Sequence, residues 1–207
     1  MLGDSTDPRD FSYDRGFLIA KATTLRRGEA YAAVLIPGTL GVAYGVTDRL
    51  TVQAGTVPWT LIDKLVTAFG SARYGVVRTE PFYVAVGAFA IAAIDNDDAL
   101  LAGWPYVVAT AGTPVLSVTW LAGLGSSTSI FEDDFDGDIL LQGMAEAVVA
   151  RGLKVIVEGL YLGDGSDPVA GTGLRFFGVR HLFELGVLRA FGGTARFLPW
   201  VALGFRL

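Results

Sequence analysis

The sequence predicts an all-β fold: an up-and-down, antiparallel transmembrane β-barrel of about twelve strands, or ten if the N-terminal segment is a plug or tail. Three observations predict it. Apolar runs of strand length are separated by turn residues, the connections alternate between short and long, and the last run alternates greasy with small or charged residues. The composition agrees. The 207 residues are 52% hydrophobic with 27 glycines and only 18% charged, and the mean hydropathy is +0.48. Such a chain is rich for a soluble protein and poor material for soluble helices.

Composition also excludes several functions. A net charge of −5 argues against nucleic acid, which asks for a basic stripe. No cysteine and a single histidine, His181, leave no disulfide, no thiolate centre and no transition-metal site, so neither a metal nor a cofactor is expected. Residues 99–131 carry no formal charge and exceed the ~20 residues of a membrane helix. Pro105, Pro114 and the Gly112-Thr113-Pro114 turn signal divide them into two halves of strand length instead.

The strands are placed in order. Residues 1–14 read as a flexible N-terminal segment, followed by a single barrel domain at 15–207. The first strand is set at 15–24, ahead of Leu25-Arg26-Arg27-Gly28, and the second at 30–45, ending at the Thr47-Asp48-Arg49 turn. Strands at 50–57 and 66–78 flank the longer link 58–65, and Thr79-Glu80-Pro81 turns into 82–94. Link 95–99 leads to 100–111, and Gly112-Thr113-Pro114 to 115–125. After link 126–137 comes 138–150, then Arg151-Gly152-Leu153 and 154–162. Link 163–170 precedes 171–179, Val179-Arg180-His181 turns into 182–191, and link 192–195 leads to 196–207. Twelve is even, as single-chain bacterial barrels require, and short turns facing longer loops is their asymmetry. The short side is expected in the periplasm.

The final strand puts Phe197, Val201, Leu203, Phe205 and Leu207 on one face, expected to meet lipid. Arg196, Trp200, Ala202, Gly204 and Arg206 fall on the other, because successive strand side chains point to opposite sides. The same alternation gathers charge inside. Glu146 and Glu158 are expected directly opposite each other across a hairpin turning at Gly152, with side chains about 5 Å apart. Arg175 and Glu184 follow on the next two strands, with Arg73 and Arg206 as further lumen charges. Such a cluster either fills a narrow lumen with ion pairs or lines a small pore and sets its selectivity. Paired carboxylates also suit glycoside hydrolysis, but no cleft, nucleophile or base accompanies them, so catalytic residues are not expected.

Tyr31, Tyr44, Trp59, Tyr74, Trp104, Tyr106, Trp120, Tyr161 and Phe191 fall toward strand ends and are expected to form interfacial girdles. The longer loops hold the acid: residues 95–98, 132–138 and 164–167. The run Glu132-Asp-Asp-Phe-Asp-Gly-Asp138 has the oxygen-rich character of a calcium loop but not the spacing of an EF-hand. It reads as a solvated outer loop, with divalent bridging to lipopolysaccharide as a further use. The N-terminus lacks a basic region followed by an apolar one. It fits either a cytosolic protein or a mature form without its signal, and the rest of the chain favours the second.

Several stretches resemble a group of largely uncharacterised bacterial outer-membrane β-barrel proteins. They are Leu25-Arg-Arg-Gly-Glu-Ala-Tyr31, Val42-Ala-Tyr-Gly-Val-Thr-Asp-Arg-Leu50 leading to Ala54-Gly55, Gly173-Leu-Arg-Phe-Phe-Gly178, and Pro199-Trp200 through Leu207. The resemblance implies residence in the bacterial outer membrane, contact with its lipid and lipopolysaccharide, and insertion by the barrel-assembly machinery. It supplies no functional residues. The leading expectation is a narrow passive pore or small-solute transport barrel of porin-like type. The alternatives are a plugged structural or surface-interaction barrel and a soluble lipocalin-like barrel with an apolar ligand inside.

Overall fold

A computed structural model of the chain describes residues 10–16, 20–36, 38–58, 60, 65–94, 99–129, 136–163, 167–191 and 197–207. Twelve strands close into one antiparallel barrel: β1 (Ala30–Ile36), β2 (Thr39–Thr47), β3 (Leu50–Thr56), β4 (Val66–Thr79), β5 (Phe82–Ile94) and β6 (Ala99–Gly112). The remainder are β7 (Leu116–Ser129), β8 (Asp136–Ala150), β9 (Leu153–Leu162), β10 (Val169–Phe177), β11 (His181–Ala190) and β12 (Phe197–Arg206). Each strand pairs with its sequence neighbours. β1 and β12 close the ring in a register running from Tyr31 opposite Arg206 to Ile36 opposite Val201. Closure leaves no edge with unpaired backbone groups, the condition for a sheet to sit in hydrocarbon. Among the described residues no helix is long and apolar enough to cross a membrane.

The strand count equals the expected twelve by a different route. No strand forms at 15–24, and the expected strand 30–45 is a hairpin, β1 and β2. The two strands part between Ile36 and Thr39, and the Gly38 N–H donates to the Leu35 carbonyl; glycine there is a turn signal. The wall therefore begins at Ala30, not at residue 15. The five expected short turns all join strands at one end, after β2, β4, β6, β8 and β10. The acidic runs 95–98 and 132–135, residues 164–166, Trp59 and Arg196 lie outside the described residues.

The outer face of the wall is apolar. Val42, Tyr44, Val86, Val107, Leu124 and Val157 are all exposed large side chains. On the last strand Phe197, Leu203, Phe205 and Leu207 are exposed, Val201 is half-buried on the same face, and Trp200, Ala202 and Gly204 are buried. β5, whose two faces are nearly alike in sequence, resolves by burial: Val86, Ala88 and Ala90 are exposed, whereas Ala85, Gly87, Phe89 and Ile91 are covered. Of the expected girdle aromatics, Tyr44, Tyr74, Trp120, Tyr161 and Phe191 are exposed. Tyr31 and Tyr106 are buried, and Trp104 packs with Phe89 at 5.6 Å between ring centroids. These three share their strand parity with inward neighbours, so they line the interior and not a girdle.

Inside, rings lie flat against the wall. A Cβ at Gly55, Gly87 or Gly125 would overlap Phe69, Tyr106 or Trp104 respectively. Glycine in mid-strand is otherwise unfavourable, and close approach of a neighbouring group is what it permits here.

Candidate functional site: a lumen divided by the N-terminal segment

Residues 10–16 and 20–25 run inside the barrel. Asp10, Phe11, Ser12, Asp14, Lys21, Ala22, Thr24 and Leu25 are all buried. The segment is a tongue and not a strand because its backbone bonds go largely to itself and to wall side chains. The Lys21 N–H donates to the Asp14 carbonyl, and Arg15 and Ala20 form an isolated antiparallel bridge. The Ala22 N–H donates to Thr110 Oγ1 at 3.0 Å and the Leu25 N–H to Thr51 Oγ1 at 2.8 Å. Thr24 Oγ1 donates to the Asp48 carbonyl at 2.8 Å. Buried backbone groups are thus paired without a sheet neighbour.

The wall charges hold this tongue. Register places Lys154 on β9, Arg175 on β10 and Glu184 on β11 in one cross-strand row. Lys154 and Arg175 are directly opposed, and like charges so placed repel. The tongue supplies the missing anion: Asp10 Oδ2 lies 2.6 Å from Lys154 Nζ and 3.8 Å from Arg175 Nη1. Arg175, fully buried, also donates Nε to Glu184 Oε1 at 2.7 Å. Its remaining nitrogens donate to the tongue carbonyls of Ser12 at 3.2 Å, Arg15 at 3.0 Å and Gly16 at 2.7 Å. Arg15 Nη2 lies 3.3 Å from Glu184 Oε1. Arg73 Nη2 on β4 donates to Asp14 Oδ2 at 2.9 Å, and Tyr31 Oη to Asp14 Oδ1 at 3.1 Å. Lys21 Nζ pairs with Glu146 and donates to Ser117 Oγ.

Signs therefore interlock, with cations and anions on both partners. Burial alone would raise the Asp10 carboxyl, but Lys154 and Arg175 outweigh it and hold the group well below the usual carboxylate range. Burial lowers Lys21 below the usual lysine value, and Glu146 opposes that only in part.

Arg73, Glu146, Glu158, Arg175 and Glu184 are all buried in this region. Glu146 and Glu158 are not directly opposed, however. Glu146 pairs with Ile156 and Glu158 with Met144, because the β8–β9 hairpin closes with Ala150 opposite Leu153 and a bulge between Val148 and Ala150 then shifts the ladder by one more residue. The expected carboxylate pair is thereby offset along the strands, and Lys154 Nζ lies 3.4 Å from Glu146 Oε2. A Cβ at Gly16 would overlap Glu158 and Met144, so the tongue rests directly on both. Arg206 stands apart at the short-turn mouth, 39% exposed and 3.7 Å from Glu29. Sequence reasoning missed Asp10, Asp14, Arg15, Lys21 and Lys154. The acidic N-terminal stretch Asp7-Pro-Arg-Asp10 was the available signal.

The tongue divides the lumen in two. An inner vestibule of about 390 Å³ opens among the short turns, with Arg26, Glu29, Arg78, Glu80 and Arg206 around it and Asp10, Tyr13 and Lys21 on its tongue side. An outer vestibule of about 480 Å³ lies toward the loop end, with Arg15 and Ala20 from the tongue at its floor. The inner space is charged. The outer one is walled by Phe69, Phe89, Trp104, Leu121, Leu140 and Leu160.

No protein-family model matches the chain, and no curated protein matches it. Among solved structures, it is similar in fold to a KdgM porin in complex with disordered oligogalacturonate, with a TM-score of 0.63 at 12% identity over 86% of this chain and 96% of that one. A second KdgM porin structure gives a TM-score of 0.59 at 13% identity over the same shares. The fold is that of these porin barrels.

Proposed function

We propose that this chain is an outer-membrane transport barrel for a small solute, closed at rest by its own N-terminal tongue. The observation that carries the reading is how the tongue is held. Side-chain ion pairs, hydrogen bonds and the packing of Phe11, Ala22 and Leu25 retain it, while the wall is closed by its own ladder. The tongue can therefore leave without breaking a strand pair. An apolar outer face, a porin-type barrel and a vestibule on each side of the closure support the same reading. Lipid meets the outer face, and the outer-membrane assembly machinery inserts the chain.

The neighbour's oligogalacturonate is a polyanion. The residues lining this outer vestibule include no acid and one cation, Arg15, which faces Glu184. A polyanionic sugar is thus a poor match for this lumen.

Planar-bilayer recording tests the reading. The full chain should be nearly silent, and a chain lacking residues 1–25 should show steady single-channel conductance. A second reading, a permanently plugged barrel, is favoured by the number of buried ion pairs on the tongue. Silence of both the full and the shortened chain, each shown to be folded, would select it.

A further inference from the structure

The outer vestibule is out of place for a water-filled lumen. Outer-membrane barrels commonly carry apolar residues outside and polar ones inside. Here the outer half of the interior is apolar too. Leu35, Val57, Ile91, Leu121, Leu140 and Leu160 line it, beside a band of rings in which Phe69 and Phe89 lie 6.0 Å apart and Phe89 and Trp104 5.6 Å. Apolar surface left against water is unfavourable by about 25 cal/mol per Å². An occupant of matching character removes that cost.

Several of the few polar groups are already engaged. Ser71 Oγ donates to Gln53 Oε1 at 3.2 Å, and Gln53 Nε2 to Tyr31 Oη at 3.4 Å. Arg15 Nη2 faces Glu184. Gln142 remains as a lining amide at the side of the cavity.

We propose that the outer vestibule is a binding site for a compact, uncharged, largely apolar molecule, aromatic or branched, with at most one polar end. The volume of about 480 Å³ falls within the ~300–1,000 Å³ of small-molecule pockets, which pair apolar walls with a few polar groups. The flat face of the ring band suits an aromatic ligand edge-on or offset, and Gln142 suits one hydroxyl or carbonyl. This names the solute class for the transport reading and rests on it only for direction of travel. Binding itself requires no flux.

The test uses the full chain in lipid nanodiscs with 4-fluorotoluene as probe, read by ¹⁹F NMR against empty nanodiscs. The folded state of each sample is checked by its heat-modifiable gel mobility. A saturable, protein-dependent signal is expected. Ala33→Trp, which places a ring in the cavity from β1, should weaken binding at least tenfold. Leu140→Gln keeps the volume and adds an amide; it should weaken binding several-fold and serves if the bulkier variant does not fold. The proposal is overturned if the wild-type barrel shows only partitioning into lipid. It is equally overturned if folded Ala33→Trp binds as well as wild type, or if digalacturonate saturates the cavity and the arene does not. A shortened chain that binds the arene but never conducts would refute transport and leave this site standing.

Discussion

Arg175 shows how one side chain joins wall and tongue. Its planar fork reaches Glu184 on the next strand and three carbonyls of the tongue at once, which a single ammonium cannot do. Removing one partner of a buried pair costs about 3–5 kcal/mol because the other charge is left uncompensated. Arg175→Met should lower the free energy of unfolding by that order, measured by urea titration in detergent, and Arg175→Lys should recover only part. Arg175 and Glu184 were legible as inward charges because strand parity assigns a face without knowledge of the fold. Their partners Asp10, Asp14 and Arg15 were not. A residue outside the ladder obeys no parity, so nothing in its spacing says what it touches.

The tongue is an element whose seating depends on charge. Asp10 has its carboxyl held below its ordinary value by Lys154 and Arg175. A carboxyl lowered in the folded state contributes stability above the ordinary carboxylate range and loses it as pH falls through the lowered folded value. The tongue should therefore stay seated at neutral and mildly acidic pH and loosen only in stronger acid. Conductance of the full chain, or protease access to residues 10–25, recorded against pH checks this. Asp10→Asn should loosen the tongue at neutral pH and flatten the acid response. The hairpin β1–β2 was misread as one strand because a sixteen-residue apolar run hides its turn when Pro37-Gly38 is discounted. The misplaced strand at 15–24 alternates convincingly, with Arg15 and Lys21 on one face. In the structure Arg15 meets Glu184 and Lys21 meets Glu146 on the wall without any ladder between them.

At the scale of the molecule, the barrel was legible from turn rhythm and alternation, since both follow from the period of a strand and the need to close a sheet. A plugging N-terminal segment stood only as an alternative, tied to ten strands, because a segment lying inside the barrel is a tertiary fact that no local pattern encodes. The outer face carries its own prediction. Val107 lies midway along β6 and is 51% exposed. Val107→Arg should destabilise the barrel by about 2–4 kcal/mol, the cost of a cation at the midplane. Val179 sits in the turn between β10 and β11 and is 57% exposed; Val179→Arg should cost only ~0–1 kcal/mol, as near an interface. Urea-driven folding into vesicles measures both. Equal costs would contradict lipid residence.

The tongue also has a topological consequence. Asp10 and Lys21 both border the inner vestibule, while Arg15 and Ala20 reach the outer one. The described part of the tongue therefore starts and finishes on one side of the closure, as a bolt does and a threaded cord does not. The wall can therefore close first and receive the tongue afterwards from the short-turn side.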